Sequence, residues 1–181
     1  YLGLDQDIID CVLEIKGSYK IGNYIPGTKI PILDGTQPIV TLHSLPEADT
    51  LVIDEVEFTK LPANHGIPAC GLRACKDGKA ITFSGDSGDE QKFWDSVSSD
   101  KAMRAVVVEC SYPKSMTELG KITLHLSTDI VGDRLAQIPN DVARIIVHRK
   151  PGYEGVIDSE LKNTLGHLDL RFPSPGTEYS F

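Results

Sequence analysis

The chain has 181 residues, of which 40% are hydrophobic and 24% charged, enough for one domain with its own core and hardly enough for two. A formal net charge of −8 argues against a nucleic-acid polymer as partner, because phosphate-backbone binding needs clustered Lys and Arg, whereas a small anion held beside a metal stays compatible with it. No apolar run reaches the ~20 residues of a membrane helix, and the opening Tyr1-Leu2-Gly3-Leu4-Asp5 lacks a basic leader region, so no membrane partner is expected.

Leu4, Ile8, Val12 and Ile15 recur at helical spacing and predict an amphipathic helix over Asp5–Lys16, stopped near Gly17. The Gly- and Pro-punctuated stretch Gly22–Gln37 reads as an extended loop. Strand-like runs follow at Pro38–His43, Thr50–Ile53 and Val56–Leu61, with Glu47-Ala48-Asp49 and Asp54-Glu55 as the intervening turns. Ala69–Cys75 and Ala80–Phe83 predict a second hairpin through Lys76-Asp77-Gly78-Lys79, where Asp-Gly is a strong turn signal.

Beyond Gly88 the period changes. Glu90–Val97, carrying Phe93 and Trp94, reads as a short helix. Ala105-Val106-Val107-Val108 is a continuous β-branched run, the pattern of a strand buried on both faces, and Ile145-Ile146-Val147 is another. Ser127–Ile138 reads as a helix with Ser127 or Thr128 as N-cap and Pro139 past its end. Lys150-Pro151-Gly152-Tyr153 is best read as a strand-to-helix turn before a helix over Ile157–Leu165, stopped by Gly166. The Pro- and Gly-containing tail from Arg171 is expected to be loosely held, with Phe172, Tyr179 and Phe181 available to a partner. An antiparallel β half followed by β/α alternation places the chain in the α/β class.

Of the four cysteines, Cys11 and Cys110 sit in apolar stretches and read as small core residues, while Cys70 and Cys75, five apart on one strand, face opposite sides of the sheet. No disulfide framework is visible, which favours a reducing, cytoplasmic setting.

The chemistry-bearing residues sit at strand ends: His65 after Val56–Leu61, Asp86 after Ala80–Phe83, Glu109 at the end of the Val run, and His148 after Ile145–Val147. Loops at strand ends gather at one rim of an α/β sheet, a common place for a site. Two imidazoles and a carboxylate suit Zn, Mn or Fe. A strand-end His is also commonly a hydrogen-bonded structural residue, and Gly-Asp-Ser-Gly is commonly a plain turn. Spacing alone leaves both readings open.

From Asn23 to Leu161, about three-quarters of the chain, the sequence resembles the later part of the metallo-β-lactamase-fold hydrolases, in their cyclic-nucleotide phosphodiesterase branch. The resemblance rests on Asn64-His65-Gly66-Ile67-Pro68 with Gly71-Leu72-Arg73, then Phe83-Ser84-Gly85-Asp86-Ser87-Gly88 and Phe93-Trp94. It continues through Val108-Glu109-Cys110-Ser111-Tyr112-Pro113, His125-Leu126-Ser127 and Val147-His148-Arg149-Lys150-Pro151-Gly152-Tyr153. The order and intervals of these pieces are more specific than any one of them.

That resemblance implies an αββα four-layer sandwich, with residues 1–181 as a single domain forming its C-terminal part. It implies a dinuclear centre of two Zn2+ (Mn or Fe in some members), held by an early His-x-His-x-Asp-His segment and by three later ligands. By motif those three are His65, Asp86 and His148, with Asp86 bridging. His125 resembles the imidazole that protonates the leaving group, and Glu109 the carboxylate that orients it. The implied activity is attack of a metal-activated hydroxide on a small phosphodiester, possibly a cyclic nucleotide, by a chain of which family members often form homodimers. Sulfatase, lactonase and tRNase Z-like activities share the fold, and a degenerate subunit or binding module is the non-enzymatic alternative. The early segment does not occur in this sequence: its five histidines are His43, His65, His125, His148 and His167, and His43 and His167 match no ligand. The missing ligands are therefore expected upstream of Tyr1, the alternative being a metal-poor remnant.

Overall fold

The computed structural model describes residues 33–34, 37–38 and 50–181; the predicted Asp5–Lys16 helix, Cys11, His43 and all but the first residue of the predicted Pro38–His43 strand lie outside them. In the unit that ends at Leu45, β1 (Leu33–Asp34) and β2 (Gln37–Pro38) form a two-stranded antiparallel ribbon. Everything that follows belongs to the unit Pro46–Phe181.

Seven strands make one mixed sheet, in sequence order from edge to edge. They are β3 (Thr50–Ile53), β4 (Val56–Pro62), β5 (Cys70–Lys76), β6 (Lys79–Phe83), β7 (Met103–Glu109), β8 (Ala143–Val147) and β9 (Leu170–Arg171). The first four pair antiparallel and the last four parallel. Both predicted hairpins form. Asp54 and Glu55 take φ of 48° and 68°, Asp77 and Gly78 51° and 71°, the left-handed pair whose twist matches that of the flanking strands.

After β6 each return to the sheet crosses through helix, which parallel neighbours require. The helices are α1 (Gln91–Ser99), α2 (Thr117–Thr123), α3 (Thr128–Leu135) and α4 (Glu154–Leu165). Glu90 caps α1, its carboxylate accepting from the Lys92 N–H. On α4, Ile157, Leu161 and Leu165 recur every four residues and are buried. They meet Phe93, Trp94 and Val97 of α1, Val131 and Leu135 of α3, and Leu61, Met103, Val106, Val108 and Ile146 of the sheet in one core. Each such side chain contributes about 1.5–3 kcal/mol on burial. An extra residue at Arg104 shifts the β6–β7 register, Ala80 pairing with Met103 and Ile81 with Ala105. The bulge turns Met103 to the same face as Val106 despite their odd spacing.

Arg144 is 0% exposed in this core. Its guanidinium donates to the carbonyls of Leu135, at the end of α3, and of Ile138, Pro139 and Val142 in the loop that follows. α3 stops at Leu135, short of the predicted Ile138, where the backbone tightens into turns with the Gln137 N–H on the Arg134 carbonyl and the Ile138 N–H on the Leu135 carbonyl. The sequence reading also missed α2, because its apolar residues Leu119 and Ile122 are exposed and draw no stripe facing a core.

The other face of the sheet carries a smaller apolar cluster, Ala105, Ala143 and Ile145 with Ile81, Val107 and Val147. Here the expectation of a loose tail is corrected. Tyr179 and Phe181 pack on this cluster, the Arg171 guanidinium lies 4.9 and 5.0 Å from their ring centres, and Phe172 packs against the larger core. Apolar burial and cation–π attraction hold the tail. Cys110 is buried as expected, and burial, reinforced by the Glu109 charge, pushes its thiol pKa well up. No described helix is long and apolar enough to cross a membrane.

Candidate metal centre

Strand direction gathers the site. Since β4 is antiparallel to β5 and β5 to β6, β4 runs parallel to β6, and β7 and β8 continue in that direction. The segments leaving β4, β6, β7 and β8 therefore open at one rim, the carboxyl edge where open α/β sheets place their sites. His65, Asp86, Glu109 and His148 are all carried there.

Backbone hydrogen bonds lock the first two segments together. The Asn64 N–H donates to Ser87 Oγ at 2.9 Å and the Gly88 N–H to the Asn64 carbonyl at 2.7 Å. Gly85, at φ 62°, has no room for a side chain, since a Cβ would stand 2.6 Å from the Cys70 carbonyl oxygen. It lets the chain turn so that Asp86 faces the His65 loop.

Glu109 is 1% exposed. Its Oε1 accepts from the N–H groups of Ser87 and Leu126, each at 3.2 Å, and from Nδ1 of His125 at 2.8 Å. Its Oε2 is buried without a partner among the described residues. Leu124 takes a left-handed conformation, φ 54°, and its carbonyl lies 3.1 Å from His65 Nδ1. An Nδ1–H donated to that carbonyl leaves Nε2 of His65 free, as the bond to Glu109 does for His125, which is 9% exposed. Metal-binding imidazoles are commonly oriented in this way. His148, also left-handed at φ 54°, places Nδ1 3.0 Å from Asp86 Oδ1.

The result is one cluster. His65, Asp86 and His125 each offer a donor atom within 4.8 Å of the others, and so do Glu109, His125 and His148. The rings of His65 and His125 are 4.8 Å apart, those of His125 and His148 5.2 Å. His65 and His148 share neither group of three; Asp86 is grouped with His65 and in ion-pair contact with His148. The donor set, imidazole nitrogens around a carboxylate with a second carboxylate oxygen unpartnered behind them, fits a divalent cation of borderline softness. His167, expected to stand apart, is exposed. Lys150–Tyr153 is a turn closed by the Tyr153 N–H on the Lys150 carbonyl.

Sequence reasoning assigned no role to Ser84, Ser87 or Ser111, which tie the rim together: Ser84 Oγ accepts from the Glu109 N–H at 3.0 Å, and Ser111 is wholly buried among the histidines. Strand parity held a usable signal, because Ser111 stands two residues after Glu109 and falls on its side.

No family model matches the sequence, and no curated protein matches it. Solved structures do. The metallo-β-lactamase fold protein YhfI from Bacillus subtilis superposes with a TM-score of 0.62 at 13% identity, over 74% of this chain and 53% of its own. The isothiocyanate hydrolase from Delia radicum gut bacteria gives 0.57 at 16% identity, over 76% and 59%. Zn2+-bound PqqB from Methylobacterium extorquens gives 0.59 at 12% identity, over 77% and 52%.

The chain has a metallo-β-lactamase fold.

The match shows the α/β class and the fold, and this chain spans between about half and three-fifths of the length of these structures.

Proposed function

We propose that the chain forms part of a metal-dependent hydrolase that cleaves a small phosphodiester of the cyclic-nucleotide kind. The observation that carries this reading is the position of Asp86, a carboxylate near both the His65–His125 pair and His148. A carboxylate near both imidazoles would be the residue able to serve two neighbouring cations, with His65 and His148 as further ligands. The likeness to a hydrolase and to a Zn2+-bound protein of the same fold is in keeping with it.

A bound divalent cation, Zn2+ in this reading, would supply a nucleophile by lowering the pKa of water, and a Lewis acid for the phosphoryl oxygen. Asp86, His65 and His148 are the residues that would hold such a cation or pair of cations, Asp86 being the one near both imidazoles. His125 stands beside them with Nδ1 committed to Glu109, so its Nε2 is the atom available to give a proton to the leaving oxygen. Glu109 keeps that ring in one orientation. The net charge of −8 favours a compact substrate over a polymer such as tRNA.

A second reading draws on the contact between His148 and Asp86, which satisfy one another directly: a metal-poor domain that kept the scaffold as a subunit. One experiment separates the two. Metal content per chain is measured after purification with Zn2+ or Mn2+ present, alongside hydrolysis of bis(p-nitrophenyl) phosphate and a 3′,5′-cyclic nucleotide. Bound metal with phosphodiester cleavage supports the hydrolase; a folded chain that takes up no metal and cleaves neither substrate leaves only the subunit.

A further inference from the structure

Ser111 stands where the two histidine-bearing loops meet. Its N–H donates to the Leu126 carbonyl at 3.0 Å, and its own carbonyl accepts from the Lys150 N–H at 3.4 Å. The backbone of this one residue thus spans from the segment after His125 to the segment after His148. The flanking residues reinforce the seam, Cys110 N–H donating to the Val147 carbonyl at 3.0 Å and Tyr112 N–H to the Leu126 carbonyl at 3.2 Å.

The hydroxyl is 0% exposed and has three partners within reach. It donates to the His148 carbonyl at 3.3 Å, and its oxygen lies 3.4 Å from His148 Nδ1 and 3.3 Å from His125 Nδ1. A hydroxyl has one proton and two lone pairs, so one bond given and two received satisfies it completely. His125 has a nearer acceptor in Glu109 at 2.8 Å, and Ser111 is its second. For His148 the Asp86 carboxylate stands at 3.0 Å as an ion-pair neighbour, and the Ser111 hydroxyl is the side-chain hydrogen-bond partner of its Nδ1. For His148 the difference matters. If Asp86 turns its oxygens to a cation, that carboxylate becomes a poorer partner for the His148 ring, and the Ser111 hydroxyl is the group in place to hold its N–H. The bond to the His148 carbonyl also braces a left-handed, non-glycine backbone, a conformation that persists only where its surroundings impose it.

We propose that Ser111 is a positioning residue of the metal centre, its buried hydroxyl pinning the turn at His148 and keeping the His148 ring in the tautomer whose Nε2 is free to ligate. This rests on the metal-dependent reading above.

The test uses the full chain with two substitutions and two readouts. Zn2+ affinity is measured by competition with a chromophoric chelator, and the Co2+ absorption spectrum is recorded. In the metal-free protein the 13Cα and 13Cβ shifts of His148 report its backbone conformation. Ser111→Ala is expected to weaken Zn2+ binding by about tenfold or more, to alter the Co2+ spectrum and to move the His148 shifts, with little change in melting temperature. Ser111→Thr, which keeps the hydroxyl, is expected to stay close to wild type on all counts. A Ser111→Ala protein with wild-type Zn2+ affinity or wild-type His148 shifts overturns the role of Ser111 and leaves the metal reading standing. A wild-type chain that binds no Zn2+ overturns the metal reading, and this proposal with it.

Discussion

Nδ1 of His125 lies 2.8 Å from Oε1 of Glu109, a carboxylate that is 1% exposed and already accepts two backbone N–H groups. Among the described residues the second oxygen of that carboxylate has no partner, and the imidazole is the side chain bonded to the first. A pair held this way fixes the ring and leaves its other nitrogen to do chemistry.

Replacement of His125 by Ala is accordingly expected to leave metal content unchanged and to lower kcat by about 10²–10⁴-fold. Metal analysis and steady-state kinetics on the same preparation check this. Loss of metal in that variant would instead make His125 a ligand, as its grouping with His65 and Asp86 permits.

Asp86→Ala removes the carboxylate that stands near both His65 and His148. It should abolish both metal retention and turnover while the protein keeps a cooperative melt, because the side chain is partly exposed and outside the core. Elemental analysis after dialysis provides the readout, and metal retained at the wild-type level would remove Asp86 from the centre.

Gly85→Ala should be far more damaging than its single methyl suggests. A Cβ there would meet the Cys70 carbonyl at 2.6 Å, on a backbone at φ 62°. Backbone strain of about 1–3 kcal/mol is the expected loss, read as a lowered urea midpoint. Gly78, also at positive φ but with open space around it, should tolerate Ala at a smaller cost.

Arg144→Met keeps the bulk of the side chain but strips donors from the carbonyls of Leu135, Ile138, Pro139 and Val142. The Leu135 and Pro139 carbonyls keep the N–H groups of Ile138 and Val142, whereas those of Ile138 and Val142 lose the Arg144 donor, and a buried acceptor left unmet costs about 1–3 kcal/mol. A large fall in melting temperature is expected, and hydrogen exchange should show it first at the C-terminal end of α3.

Acid should weaken the fold below the ordinary carboxylate range. Burial pushes the Asp100 carboxyl up, but the hydrogen bond from Arg73, the Ala102 N–H and the charges of Arg73 and Arg104 outweigh it and hold its pKa low. Asp129 behaves alike, burial being outweighed by hydrogen bonds from the Ser127 and Thr117 hydroxyls and from backbone N–H groups. A carboxyl whose folded pKa is depressed contributes stability above its unfolded pKa of 3.8 and loses it as pH falls through the folded value. Urea midpoints should therefore hold level from neutral pH to about 5 and drop below about 4. Asp100→Asn should flatten that drop, and an unchanged acid limb would remove the Arg73–Asp100 contact from the account.

The sequence by itself determined most of the local elements and singled out His65, Asp86, Glu109 and His148 at strand ends that the fold brings to one rim. Asp54-Glu55 and Asp77-Gly78 mark their turns because few residue pairs accept two left-handed conformations in succession. The Val run of β7 announces burial on both faces because alternation is missing from it. The ordered motifs around His65, Asp86, Glu109, His125 and His148 carried the metallo-β-lactamase resemblance that the fold comparison upholds.

Tertiary structure decided what these residues are to one another. That four strands share a direction, and so bring their far-apart ends to one rim, is a property of sheet topology that no local window contains. The nearness of Asp86 to both His65 and His148 has no local signature. The bond from Arg144 to the end of α3 and the packing of Tyr179 and Phe181 on the sheet likewise join residues through folding alone. Periodicity and turn chemistry act over a few neighbouring residues, whereas a site is made of distances between residues that the chain alone does not bring together.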